Sequence, residues 1–160
     1  MNSDPTTSTT DASSRARSLA ASDRGMILST LWIAVMFNYL YCDVMVFMDT
    51  RMLNEYLTGT VNGLTITPGF LLGGAVLMQI PIAMIVLSRV LTVKPNRWAN
   101  IVAGSLMTVV QLTTLFVARP TMYYLFFSII EIAVTSFIVW YAWKWRVSQG
   151  HATPEAAIST

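Results

Sequence analysis

The sequence predicts an all-α integral membrane protein, a four-helix bundle with both termini in the cytoplasm. The first observation is composition: the 160 residues are 54% hydrophobic and only 11% charged, whereas soluble domains are about a quarter charged. The second is four apolar runs of 20 or 21 residues, each long enough to cross roughly 30 Å of hydrocarbon. The third is an unequal distribution of basic residues on the two sides of these runs.

The predicted membrane domain covers residues 27–146. Its spans are 28–48, 69–88, 98–117 and 122–142. Residues 1–26 are rich in Ser, Thr, Ala and Asp, with few large apolar side chains, which predicts a disordered cytoplasmic tail. We expect a second disordered tail at 147–160. The first span is too long for a signal-peptide core and lacks an Ala-x-Ala cleavage site, so it is interpreted as a permanent span. Short turns between the last three spans predict antiparallel neighbours.

The orientation follows from the Lys and Arg residues beside the spans. Eight lie on the side of the termini and the second loop, and two, Arg51 and Arg119, lie on the other. Because basic residues accumulate in cytoplasmic segments, we expect both termini inside a cell inner membrane and the 20-residue first loop outside. The five Trp residues also fall toward the predicted cytoplasmic interface, where indole rings settle.

Polar residues inside the last two spans recur every three or four positions, which places them on one face of each helix. In the fourth span they are Tyr124, Ser128, Glu131 and Thr135. In the third span they are Asn100, Gly104, Thr108 and Gln111. Polar side chains are costly against lipid. The two stripes are therefore predicted to face each other across a polar interior that opens toward the outside.

Counting residues from the predicted outer ends gives each polar side chain a depth. Glu131, Gln79 and Asn38 lie about 14 to 15 Å deep, near the midplane. Asp43 and Gln111 form a second layer about 8 to 9 Å deep. The candidate site for a ligand, ion or proton therefore comprises Glu131, Gln79, Asn38, Asp43, Gln111, Tyr124 and Ser128.

Glu131 has no basic partner, since no Lys, Arg or His lies deep in any span. The cost of burying a charge favours a neutral acid, hydrogen-bonded to Gln79, Asn38 or a hydroxyl. Such a carboxyl can carry a proton. It can equally belong to a structural hydrogen-bond cluster that joins helices in lipid. Asp43, nearer the surface, is expected to be structural or to lie at a solvated mouth within reach of Arg51 or Arg119.

Several classes of function have little support in the sequence. The single histidine, His151, lies in the C-terminal tail, and the single cysteine is Cys42, so we expect no metal site and no cofactor. No Gly-rich phosphate loop lies outside the spans. The net charge of +2 comes from scattered residues, so a nucleic-acid partner is not expected. An enzyme is the least supported class.

Five stretches resemble a family of uncharacterised bacterial four-span membrane proteins, classed as a domain of unknown function. They are Leu31-Trp32, the run from Asn38 to Asp43, the run from Pro81 to Met84, the run from Arg97 to Asn100, and Glu131 with Trp140 and Trp143. The resemblance covers roughly residues 28–145. It implies a bacterial inner membrane and four spans, and it brings no activity, substrate or cofactor.

Three hypotheses follow. In the first, the protein binds or moves a small molecule, ion or proton at Glu131, as small four-helix transporters do with one carboxyl, usually as dimers. In the second, it is an accessory or assembly protein for another membrane protein, and its polar core is purely structural. In the third, it is a membrane enzyme that uses Asp43 and Glu131 as acids. The expected partners are the lipid bilayer and a second copy of the chain, with a small ligand or a membrane protein as alternatives.

Overall fold

A computed structural model describes residues 5–61, 63–117 and 120–145. Its elements in chain order are α1 (Pro5–Met48), α2 (Thr50–Leu57), β1 (Thr60–Val61), β2 (Leu64–Thr65), α3 (Pro68–Val90), α4 (Val93–Val117) and α5 (Met122–Trp143). Within these ranges, four helices are long and apolar enough to cross a membrane: α1, α3, α4 and α5. The prediction of an all-α membrane protein with four spanning helices is confirmed, and the side on which the termini lie stays a prediction.

The first helix differs from the sequence prediction at its start. It begins at Pro5 and continues without a break to Met48, so most of the segment predicted to be a disordered tail is helical. Proline is well suited to the first position of a helix, and no Gly or other Pro occurs before Gly25. The prediction rested on the low content of large apolar residues, which says nothing about whether the local sequence favours a helix. Residues 147–160, the second predicted tail, lie outside the described residues.

The 20-residue loop after α1 folds into a short helix and a β-hairpin. Asp49 caps α2, because its carboxylate accepts hydrogen bonds from the backbone N–H groups of Arg51 and Met52. Strands β1 and β2 pair antiparallel, and Gly59 and Gly63 supply the positive φ angles of 75° and 80° that the turns require. We call this end of the bundle the hairpin end. The opposite end, where α3 meets α4, is the terminal end.

The four spanning helices are packed unevenly. Helix α4 lies along α5, and α3 packs mainly against α1, which also contacts α5. Within the described residues no Cα atom of α3 lies within 8 Å of a Cα atom of α5, so the two backbones are well separated. Two glycines mark the closest approaches. A Cβ atom on Gly104 would lie 2.8 Å from the Val139 side chain, and one on Gly25 would lie 2.5 Å from the carbonyl oxygen of Ser88.

The tightest core lies toward the terminal end. The largest side chains that are fully buried there are Trp32, Leu28, Met107 and Ile138. In contrast, residues 68–76 of α3, at the hairpin end, are all exposed. The bundle is therefore closed at the terminal end, while one helix stands apart at the hairpin end.

We predict that Gly25→Ala destabilises the protein and that Gly73→Ala does not. The new methyl group at position 25 would meet a backbone carbonyl that cannot move independently of α3, whereas nothing lies within 4 Å of position 73. Overpacking of this kind costs about 1–3 kcal/mol. Thermal unfolding of both variants in detergent, followed by circular dichroism, measures the difference. Because both changes gain the same helix propensity, equal melting temperatures would contradict the close approach of α1 and α3.

Candidate functional site

The polar stripes predicted for α4 and α5 meet in their middle part, where Gln111 and Thr108 of α4 contact Ser128 and Thr135 of α5. The amide nitrogen of Gln111 donates a hydrogen bond of 2.6 Å to the Ser128 hydroxyl, which donates to the backbone oxygen of Tyr124. One level deeper, the hydroxyl oxygens of Thr108 and Thr135 lie 2.8 Å apart. Gln111, Ser128 and Thr135 are all buried, so this part of the polar interior is closed between the helices.

Glu131 lies between α5 and α1. Its side chain is only 2% exposed, and its Oε1 atom accepts a hydrogen bond from the hydroxyl of Tyr39. On the neighbouring turn the Asn38 amide donates a 3.0 Å hydrogen bond to the backbone oxygen of Phe127. Of the partners considered for Glu131, the structure therefore shows a hydroxyl. Asn38 attaches α1 to the backbone of α5 instead.

Gln79 does not belong to this group. The sequence prediction placed it beside Glu131 because both residues lie near the midplane. In the structure Gln79 is on an exposed face of α3, and no Cα atom of α3 lies within 8 Å of one in α5 among the described residues. A count of residues gives a height along the helix, but it carries no information on which way the helix is turned. Of the three partners considered for Glu131, the structure shows the hydroxyl, that of Tyr39, and not Gln79.

A cavity of about 560 Å³ opens at the hairpin end. All five helices and the hairpin contribute to its walls, among them Asp43 of α1, Tyr56 of α2, Phe70 of α3, Thr114 of α4 and Tyr124 of α5. Most of the remaining wall is apolar. The cavity exists because the exposed first turns of α3 do not close against α4 and α5.

Asp43 supplies the charge of this cavity. It is the one acidic residue among the described residues that line it, and no Lys or Arg is among them. Arg51, a partner considered for Asp43, is paired instead with Glu55 at 3.5 Å, and Arg119 lies outside the described residues. Asp43 is exposed, as expected for a residue at a solvated mouth, and it gives the cavity a negative wall.

Tyrosines shape the cavity at its rim and at its floor. At the rim, the Tyr123 hydroxyl donates a 3.3 Å hydrogen bond to Asp49, which connects α5 with the start of α2. The Tyr56 ring lines the cavity, and burial raises the pKa of its hydroxyl above its ordinary value. At the floor, Tyr124 of α5 and Thr114 of α4 line the cavity together.

Tyr124 separates two layers of polar residues. Asp43 and Tyr124 line the cavity, whereas Gln111, Ser128 and Glu131 do not. Tyr124 and Glu131 are seven residues apart on α5, a rise of about 10 Å. The predicted polar interior is therefore open at the level of Asp43 and closed at the level of Glu131.

A second polar cluster, which the sequence analysis did not identify, seals the terminal end. The Trp32 indole nitrogen donates a 2.8 Å hydrogen bond to Oδ1 of Asn100, and the Ser88 hydroxyl donates to the same atom. The Asn100 amide nitrogen donates to Oδ1 of Asn96 at 2.7 Å. Trp32 was expected at the membrane interface, but it is fully buried. The sequence contains a signal for this cluster, because Asn96 and Asn100 are four residues apart and therefore lie on the same face of α4.

The described ranges hold no grouping of three or more His, Cys, Asp or Glu side chains that could bind a metal ion. The buried polar atoms of the two clusters are instead paired with one another, so the chemistry available there is hydrogen bonding. In the cavity, the available chemistry is one carboxylate with aromatic and apolar walls.

Comparison with known proteins gives one match. The model of a family of unknown function, DUF6326, matches residues 20–152. This range includes all four spanning segments and every candidate site residue. No curated protein and no solved structure matches the chain.

We predict that Tyr39→Phe destabilises the protein and that Tyr41→Phe does not. Tyr39 is the hydroxyl donor to Glu131, while Tyr41, two residues along the same helix, is 57% exposed. Loss of this bond should lower the free energy of unfolding by about 1 kcal/mol, as measured by chemical unfolding in detergent. The effect should be less than additive with that of Glu131→Gln. Full additivity would show that the two side chains do not interact.

Proposed function

We propose a function from the geometry, because the chain belongs to the DUF6326 family and the function of that family is unknown. The protein binds a small, largely apolar molecule that carries one cationic group, in the cavity at the hairpin end. The observation that carries this proposal is the carboxylate of Asp43 in an otherwise apolar and aromatic cavity. Its volume of about 560 Å³ lies in the usual range of ligand sites, roughly 300–1,000 Å³.

The chemistry of the walls supports a cationic ligand. An apolar body can pack against Phe70 and Met78, which α3 presents to the cavity. The rings of Tyr56 and Tyr124 can receive a cation over their faces. Asp43 supplies the opposite charge, and no basic side chain in the described lining competes for it. An anionic ligand would meet this carboxylate with no compensating group.

The second layer supports a coupling of ligand and proton. A bound molecule would rest on Tyr124, which lines the cavity and whose backbone oxygen accepts a hydrogen bond from Ser128 in the closed layer. A shift of Tyr124 would open the way toward Glu131, which the Tyr39 hydroxyl holds in place. On the orientation expected from the charge count, the cavity faces the outside of the cell. Ligand capture at Asp43 and proton exchange at Glu131 would then be two steps of one process.

We predict that Asp43→Asn weakens the binding of tetraphenylphosphonium to the purified protein. An exposed ion pair is worth up to about 1 kcal/mol, or roughly fivefold in affinity. Glu55→Gln is the matched control, because it removes one negative charge from the same end without altering the cavity lining. Equilibrium dialysis with the radiolabelled cation gives the dissociation constants.

The neutral analogue triphenylphosphine oxide tests the role of charge. Its affinity should be unchanged by Asp43→Asn, since it makes no ion pair. If tetraphenylphosphonium binds Asp43→Asn and the native protein equally, or if it does not bind the native protein, the assignment of a cation site is wrong.

A purely structural polar core is the second candidate, and one observation favours it. Glu131, Ser128 and Thr135 are buried and hydrogen-bonded within the bundle, as expected of side chains that join helices in lipid. In that case the protein would serve as an accessory or assembly factor for another membrane protein, and its lipid-facing surface would do the binding.

We predict that Glu131→Gln distinguishes the two candidates. If binding of the cation displaces a proton from Glu131 to solvent, the affinity for tetraphenylphosphonium should rise with pH in the native protein, and this rise should be smaller in Glu131→Gln. Asp43→Asn, measured over the same range, identifies the part due to Asp43. If Glu131→Gln keeps the full pH profile and only lowers the melting temperature, the core is structural.

A further inference from the structure

A shallow groove of about 360 Å³ runs along the outside of the bundle between α4 and α5, toward the terminal end. Trp140 and Trp143 form its wall near that end, and the small side chains of Ser105 and Ser136 leave it open toward the middle of the bundle. The groove lies on the lipid-facing surface, far from the cavity at the hairpin end. Within the described residues, no side chain of the chain itself fills it.

Two cations stand over the tryptophans of this groove. The guanidinium carbon of Arg97 lies 6.0 Å from the centre of the Trp143 ring, and the ammonium nitrogen of Lys144 lies 4.2 Å from the centre of the Trp140 ring. Both distances are typical of cation–π contacts. Each of the two Trp rings that line the groove therefore has a cationic side chain over it.

Neither cation has an acidic partner in the part of the chain that the structure describes. The one ion pair found there, between Arg51 and Glu55, is at the opposite end of the bundle. The Nε atom of Arg97 is buried and has no hydrogen-bond partner. A pair of uncompensated cations at the mouth of an apolar groove is complementary to a molecule with an anionic head and an apolar tail.

The length of the groove fits one leaflet of a bilayer. From Arg97 to Val109, the deepest lining residue on α4, the helix advances 12 residues, or about 18 Å. Half of a hydrocarbon core is roughly 15 Å thick. An acyl chain in the groove would thus extend from the level of the cations to the middle of the bilayer.

From these observations we infer that the α4–α5 groove is a binding site for an anionic phospholipid. One acyl chain lies in the groove against Ser105, Ser136 and Val109, and the phosphate contacts Arg97 and Lys144. Trp140 and Trp143 connect both parts, since each residue lines the groove and has a cation over its ring. The site is independent of the cavity lined by Asp43.

Native mass spectrometry of the purified protein with equal amounts of phosphatidylglycerol and phosphatidylcholine tests the headgroup. The native protein should retain phosphatidylglycerol preferentially. Arg97→Gln and Lys144→Gln should each reduce this preference about fivefold, the usual effect of one cation on anionic lipid. Lys94→Gln is the matched control, because Lys94 is an exposed cation at the same end that has no ring contact with the groove.

A second pair of variants tests the acyl chain. Ser136→Phe should block the groove and reduce retention of phosphatidylglycerol while both cations remain. Val102→Phe adds the same ring to α4 at a lipid-facing position, 62% exposed in the native protein, and should have no effect. The melting temperature of each variant verifies its fold, above all for Arg97→Gln, since Arg97 is half-buried whereas the other substituted residues are exposed.

Three results would overturn the inference. The first is a preference for phosphatidylglycerol that survives the loss of both cations. The second is displacement of bound phosphatidylglycerol by glycerophosphoglycerol, its headgroup without acyl chains, as effectively as by the intact lipid. That result would indicate a site for free anions. The third is a dimer in the spectrum that Ser136→Phe abolishes, which would show that a second copy of the chain fills the groove.

Discussion

The side-chain amide of Asn100 is the interaction on which the bundle depends. Its oxygen accepts hydrogen bonds from Trp32 of α1 and Ser88 of α3, and its nitrogen donates to Asn96 on its own helix. Asn100 is fully buried, so no water replaces a lost partner and each such group has to be satisfied within the protein. The directional bonds of one amide therefore fix three helices against each other. Helix α5 joins through the close approach at Gly104.

Because the terminal end is held this firmly, the hairpin end can remain open. Helix α3 is anchored by Met84 and Ser88, which are buried, and its first turns extend away without support. The protein thereby places its two membrane acids in opposite environments. Asp43 faces the open cavity, whereas Glu131 is enclosed and bonded to Tyr39. A cation can reach Asp43 directly through the cavity. Glu131 is enclosed, so a proton is the only ion small enough to be exchanged there without opening the bundle.

The lengths of the apolar runs predicted the four spanning helices, because a helix that crosses a membrane is recognised by the length and composition of its own sequence. Periodicity predicted the part of the α4 and α5 stripes that meets, Gln111 with Ser128 and Thr108 with Thr135, since the connecting turn forces these helices into contact. It did not predict that Glu131 pairs with Tyr39 of α1, or that Gln79 lies on an exposed face of α3. It also missed Trp32, because tryptophan suits both an interface and a buried hydrogen bond. Depth can be counted along one helix, whereas rotation depends on its neighbours.

The separation of the α3 and α5 backbones in the described residues has a consequence for how the cavity would be filled. In a bilayer, acyl chains would complete the wall on the side where these two helices do not pack closely. A ligand could then enter sideways from the bilayer. Its occupancy would follow its concentration in the lipid and not that in water. Two compounds of equal intrinsic affinity would differ in occupancy by the ratio of their membrane partition coefficients, so selectivity would arise partly in the membrane itself.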